Sequence, residues 1–244
     1  ENRLYYDEQG RLRPGRSKIG WQKYDNGYKW RYQNGTYAKS TWKTIKGSRY
    51  YFHANGYRAT GMTKINQKTY YFSASGKLSA GWKTLEGNKH YFTKQGMYTG
   101  IQSIRGKTYY FKNNGVLLQN QGLKTIAGNR YFFNSDNAAA TGWKTINGKK
   151  YYFRPNGQAV FGWQNIDENE YYFNSKSVAV TGFQTIENSH YLFDESGILQ
   201  KASDTGWHSF NGADYYYFQT ESSLQTGWLT LEIPDAEGAP QICQ

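Results

Sequence analysis

Residues 142–161 read GWKTINGKKYYFRPNGQAVF, and residues 162–181 read GWQNIDENEYYFNSKSVAVT. Aligned without a gap, the two segments share Gly-Trp at the start, Ile in fifth place and Tyr-Tyr-Phe in places ten to twelve. A period of about twenty residues is the mark of a repeat architecture, in which one supersecondary unit is copied and stacked. Further copies open near Gly20, Thr41, Gly61, Gly81, Gly100, Gly122, Gly182, Gly206 and Gly227. The units opening at Gly100, Gly182 and Gly206 are longer than their neighbours, and the additions fall in loops, where closure entropy rises slowly with length.

Each unit reads as a β-hairpin. Trp143 to Ile146 and Lys149 to Phe153 are rich in strand formers, and they flank Asn147-Gly148, a pair suited to a type I′ turn. Lys46-Gly47, Glu86-Gly87, Arg105-Gly106, Ala127-Gly128 and Asn211-Gly212 occupy the same place; Asn66-Gln67, Asp167-Glu168 and Glu187-Asn188 fill it without glycine. A two-residue turn fixes register. Trp143 then opposes Tyr152, Lys144 opposes Tyr151, Thr145 opposes Lys150 and Ile146 opposes Lys149. One face carries Trp143, Thr145, Lys150 and Tyr152. The other carries Ile146, Tyr151 and Phe153 with Lys144 at its edge, and is assigned to the stacking core; the Trp143 face is assigned to grooves between hairpins.

An isolated hairpin is marginal in water, so a string of them must stack to bury its rings. The expected fold is all-β, an elongated β-solenoid of hairpins with no significant helix. Residues 1–18, which include Tyr5-Tyr6, read as a partial repeat or cap, 19–228 as the solenoid, and 229–244, with Pro234 and Pro240, as a closing cap or tail.

Composition agrees. Aromatic residues make up 18% of the 244, yet mean hydropathy is −0.89, so rings replace aliphatic side chains as the apolar material. The single cysteine, Cys243, excludes an internal disulfide and a Cys-based metal site within one chain. No apolar run is long enough to span a membrane, and the chain opens at Glu1 without the layout of a secretory signal, as a processed or excised segment would. The net charge of +12 invites a polyanion partner, but Lys and Arg recur singly or in pairs, without the basic block of a nucleic-acid reader. No nucleic-acid partner is expected.

Catalysis requires unlike residues that converge, whereas repetition supplies the same residues many times. No HExxH pair, nucleophile elbow, phosphate loop or dinucleotide fingerprint occurs. His53, His90, His190 and His208 occupy different template places and read as exposed strand or loop residues. Asp167, Glu168 and Glu170 cluster beside a turn, where acidic side chains are ordinary. No catalytic residue, metal or cofactor is expected.

What recurs is a Trp opposite a Tyr: Trp42 with Tyr51, Trp82 with Tyr91, Trp143 with Tyr152, Trp163 with Tyr172, and Trp207 with Tyr216. Sugar rings lay apolar C–H faces on aromatic rings while their hydroxyls bond to polar side chains, and quaternary ammonium groups also enter aromatic cages. The competing reading makes these rings core alone. Met62 with Tyr71, Ile101 with Tyr110, Leu123 with Phe132 and Phe183 with Leu192 are the degenerate counterparts, read as structural hairpins.

GWKTINGKKYYF and its copies resemble the cell-wall-binding repeat superfamily, which includes choline-binding modules, glucan-binding domains of glucansucrases and clostridial toxin repeats. The resemblance covers Ile19 to Trp228 and implies a solenoid with ligands between neighbouring repeats. Choline-binding units usually read Gly-x-Trp-Tyr-Tyr; the place of that second Trp holds Arg49, Thr69, Lys89, Thr108, Arg130, Lys150, Glu170, His190 and Asp214, which argues against choline. The glucan-binding and toxin pattern fits better. By that resemblance Tyr51, Tyr91, Tyr152 and Tyr172 would bind sugar with Lys43, Lys83, Lys144 and Gln164, although the register puts Lys144 on the face opposite Trp143, so that a bulge or contact across hairpins would be needed. The expected function is a non-catalytic module of a larger, secreted or wall-attached Gram-positive protein that binds α-glucan or a related polysaccharide. A teichoic acid or choline-type wall anchor and a toxin-like module for host glycans are the alternatives.

Overall fold

A computed structural model describes residues 8–9, 19–119 and 121–201 and, as backbone alone, 5–6, 12–13, 206–210, 212–217, 231–234 and 240–243. Every regular element among them is a strand. Contacts divide the chain into two compact units, Glu1–Gln119 and Asn120–Gln244. The first holds antiparallel hairpins built from Gly20–Tyr24 and Gly27–Arg31, Thr41–Ile45 and Ser48–Phe52, Gly61–Ile65 and Lys68–Phe72, Gly81–Leu85 and Asn88–Thr93, and Gly100–Ile104 and Lys107–Phe111. In the second, the pairs are Gly122–Ile126 and Asn129–Phe133, Gly142–Ile146 and Lys149–Phe153, Gly162–Ile166 and Asn169–Phe173, Gly182–Ile186 and Ser189–Phe193, and Gly206–Phe210 and Ala213–Tyr217. Tyr5–Tyr6 pairs with Leu12–Arg13, and Leu231–Pro234 with Pro240–Cys243.

The register is the one expected from a two-residue turn: Trp143 opposite Tyr152, Lys144 opposite Tyr151, Thr145 opposite Lys150 and Ile146 opposite Lys149. Asn147 and Gly148 take φ of 50° and 72°, the left-handed pair of a type I′ turn. The turns without glycine adopt the same conformation, with Asp167 at 51° and Glu168 at 66°. Their geometry is therefore imposed by the twist of the flanking strands, against the steric preference of residues that carry a Cβ.

The core lies between consecutive hairpins. Phe52, Phe72, Phe92, Phe111, Phe133, Phe153, Phe173 and Phe193, which hold the place of the Phe in the Tyr-Tyr-Phe template, are fully buried. Trp143 stacks on the next hairpin, 4.7 Å from the Tyr171 ring centre and 5.9 Å from that of Phe173. Trp21, Trp42, Trp82 and Trp163 do the same with Tyr50 and Phe52, Tyr70 and Phe72, Tyr109 and Phe111, and Tyr191 and Phe193. The two faces thus serve one purpose: the Trp face of a hairpin lies on the Tyr-Phe face of its successor. Ile166 and Ile186 are buried beside these rings, while Ile146 is only half-buried.

A backbone bond recurs between consecutive hairpins. The Ala179 amide, in the loop after one hairpin, donates to the Lys150 carbonyl of the hairpin before it at 2.9 Å; Ala159 and Arg130, Leu199 and Glu170, Leu117 and Lys89, and Leu78 and Arg49 repeat the arrangement. Gly157 sits where the loop passes closest to its neighbour, since a Cβ there would lie 2.6 Å from the Ala139 Cβ.

Replacing Phe173 by Ala removes the surface on which Trp143 rests, and is expected to cost about 3–5 kcal/mol in urea unfolding followed by tryptophan fluorescence. Glu168→Gly relieves a left-handed side-chain clash and is expected to raise stability by about 0.5–1 kcal/mol in the same measurement, the gain being reduced by the greater freedom of glycine in the unfolded chain.

Candidate functional site

Each described Trp expected to contact ligand also packs. Trp42 and Tyr51, Trp82 and Tyr91, Trp143 and Tyr152, and Trp163 and Tyr172 form edge-on pairs with ring centres 5.1–5.4 Å apart, as the register requires. Trp207 and Tyr216 are paired in the backbone ladder, but their side chains lie outside the described residues. The other contact of each Trp is with the next hairpin, so the rings are core and cleft wall together. None of the four described tyrosines is fully buried, and Trp82 and Trp163 remain 40% and 38% exposed.

The lysines do not join the Trp and Tyr pairs of their own hairpins; each lies over a ring of the unit before. Lys43 places Nζ 5.6 Å from the Trp30 ring centre and 4.6 Å from that of Tyr32; Lys83 lies 5.5 Å from Tyr71, and Lys144 4.6 Å from Phe132. No bulge interrupts the Gly142 hairpin. Contact across neighbouring hairpins is therefore what brings the third residue of one unit over the ring of the unit before. Gln164 behaves differently, donating to the carbonyls of Phe161 and Trp163 at 3.0 and 2.6 Å.

A second set of cations lies on the Trp side. Lys150 Nζ sits 4.4 Å from the Trp143 ring centre and 5.8 Å from that of Tyr171, and donates to the Ser196 carbonyl at 2.8 Å. Burial, reinforced by the negative charges of Asp194 and Asp167, raises the Tyr171 phenol above its ordinary range, so the ring beneath Lys150 stays neutral. Arg49 lies 4.2 Å over Trp42. In the Gly162 hairpin the equivalent residue is acidic: Glu170 opposes Asn165 and accepts from Lys201 at 2.9 Å. Trp163, Gln164, Asn165 and Glu170 line an open cleft of about 300 Å³.

Two features escaped the sequence reading. Trp30 stands opposite Trp21, with ring centres 5.4 Å apart, making a tryptophan pair where other units have Trp and Tyr. The Gly20-Trp21 opening signalled it, but Asp25-Asn26 is followed by Gly27 and Tyr-Lys-Trp, which disguises the second strand. His90, read as exposed, is buried, because the register sets it opposite Lys83 on the Tyr-Phe face. Its Nδ1 has no hydrogen-bond partner. No group of three or more His, Cys, Asp or Glu suited to a metal occurs among the described residues.

Stacked aromatic hairpins with rings left partly open between units define a repeat-type binding module. A family model described as choline-binding repeat matches residues 38–80, 98–139 and 140–177, half of the chain, and the chain belongs to that family. No curated protein sequence matches it. Among solved structures, CbpJ from Streptococcus pneumoniae TIGR4 is 22% identical over 92% of each chain, with a TM-score of 0.63. Choline binding protein F from Streptococcus pneumoniae, crystallised in the presence of a peptidoglycan analogue, is 23% identical over 85% of this chain and 86% of that one, with a TM-score of 0.60. The modular autolysin LytC from the same organism, in complex with a synthetic peptidoglycan ligand, is 21% identical over 91% of this chain and 52% of that one, with a TM-score of 0.52. These likenesses establish the shared fold.

His90→Tyr restores the residue that other units carry at this place and removes an unpaired buried nitrogen. It is expected to raise stability by about 1–2 kcal/mol in chemical denaturation.

Proposed function

We propose that the chain is a non-catalytic polysaccharide-binding module, with its repeats 19–228 as the binding array and the terminal segments 1–18 and 229–244 as caps. The reading rests on one observation above others: Trp and Tyr rings stay partly open beside polar side chains, as Trp163 does with Gln164, Asn165 and Glu170 in a cleft of about 300 Å³. A pyranose fits such a cleft. Its C–H face lies on a ring, and its hydroxyls accept from an ammonium or exchange bonds with an amide. Choline-like cations meet Arg49 at Trp42 and Lys150 at Trp143, and like charges repel there. A neutral polymer, α-glucan or a related glycan, suits the arrangement best.

The second reading is an anchor to an anionic or choline-bearing wall polymer. It is favoured by membership of the choline-binding repeat family and by the net charge of +12. Either role places the protein outside the cell, attached to a Gram-positive envelope or to polysaccharide around it, within a larger multidomain protein.

Electrophoresis through gels containing dextran, starch or purified wall sacculi separates the two readings. Retardation by dextran or starch that changes little between low and high salt is the expected result, because stacking on neutral sugar is not screened. Retardation by sacculi alone, falling steeply with salt, establishes the wall anchor instead.

A further inference from the structure

The chain's own cations are distributed unevenly over its rings. Trp21 lies 5.6 Å from the Arg58 guanidinium, which stacks on Tyr28 at 4.1 Å and donates to the Ala74 carbonyl at 3.0 Å. Trp30 faces Lys43, Trp42 faces Arg49, and Trp143 faces Lys150. Lys29 is enclosed in the same manner, within 4.2–5.8 Å of the ring centres of Tyr24, Tyr37 and Tyr57. Among the described residues, the cation–ring contacts to tryptophan fall on these four. Trp82 and Trp163 are the remaining described tryptophans, and they are also the most exposed, at 40% and 38%.

The local sequence accounts for the difference. In the Gly162 hairpin the place of Lys150 is taken by Glu170, which turns to Lys201 and leaves the indole uncovered. In the Gly81 hairpin that place holds Lys89, whose side chain is exposed. The third residue of the following unit, which is a lysine over Trp30, Tyr71 and Phe132, is Gln102 after the Gly81 hairpin and Gln184 after the Gly162 hairpin. Both glutamines donate to the loop carbonyl just before their own hairpin, those of Thr99 and Thr181, at 2.8 Å. A cation on an indole face occupies the electron-rich surface on which a sugar would lie, and displacing it forfeits that attraction.

We infer that, among the described residues, the open platforms are Trp82 with Tyr91 in the first compact unit and Trp163 with Tyr172 in the second, and that Arg49, Arg58, Lys43 and Lys150 are internal caps that close the other described tryptophans to ligand. The inference rests on the polysaccharide reading and assigns its live sites. The ligand at each platform is a neutral sugar ring of a polysaccharide, and two sites on one chain raise its avidity for such a polymer.

Dextran-affinity electrophoresis of the full chain tests the assignment. Trp143 and Trp163 stack on equivalent rings of their successors, and Trp143 is the more buried, so Trp143→Ala controls for structural damage in Trp163→Ala. Trp82→Ala and Trp163→Ala are each expected to weaken retardation on the order of ten-fold, through loss of one of two linked sites, with Trp143→Ala within about two-fold of the unaltered chain. Lys150→Ser uncovers Trp143 and is expected to strengthen retardation about three-fold by adding a site. Equal weakening by Trp143→Ala and Trp163→Ala, or no gain from Lys150→Ser, overturns the inference while leaving the polysaccharide reading intact. Absence of any retardation of the unaltered chain overturns the α-glucan reading itself, together with the sites assigned to it.

Discussion

The contact on which everything else rests is that between the tryptophan face of one hairpin and the Tyr-Phe face of the next. A two-stranded ribbon of five residues a side has no interior. Phe173 becomes buried only because Trp143 and the loop around Val160 close over it from the preceding unit. Apolar burial and aromatic packing thus arise between units, and the Ala179 amide to Lys150 carbonyl bond aligns the two faces that must meet. Stability in such a chain is a sum over neighbouring interfaces.

This arrangement dissolves the choice between core and binding surface. A ring wedged between successive thin ribbons cannot be sealed on every edge, so one face holds the fold while an edge or part of the other face stays open. The extent of that opening is then decided by which polar side chain arrives beside the ring. Basic residues at Arg49 and Lys150 spend part of the net charge on the protein's own aromatic surface, and Lys150 reaches further, to the Ser196 carbonyl two hairpins on. A high positive charge here is partly a structural feature and not wholly an electrostatic footprint for a partner.

The hairpin register, the strand boundaries and the Phe and Tyr core were legible in the sequence, because a two-residue turn followed by period-two alternation leaves one solution for which side chains share a face. The turns at Asn66, Asp167 and Glu187 were harder, since propensity disfavours positive φ there while strand twist demands it. What one unit cannot disclose is its neighbour. The Lys144 side chain was assigned to the face away from Trp143, and correctly, yet its partner is Phe132 in the unit before; contacts of this kind depend on the rotation between hairpins, which no single-repeat pattern encodes. His90 was misread for the opposite reason. Its template place was available, and the tyrosines that fill it elsewhere, such as Tyr50 and Tyr151, mark it as inward-facing.

Because the described loop-to-carbonyl bonds join a hairpin to its predecessor, and the longest described side-chain ties span two, interior units meet their neighbours through the same kind of contact. Copying or excising a single twenty-residue segment through recombination at the DNA level would leave the remaining interfaces as they were. Such a chain can change its reach and its valency in whole increments, with no core to be redesigned, and the point substitution that swaps Lys for Glu at one rung retunes that rung alone.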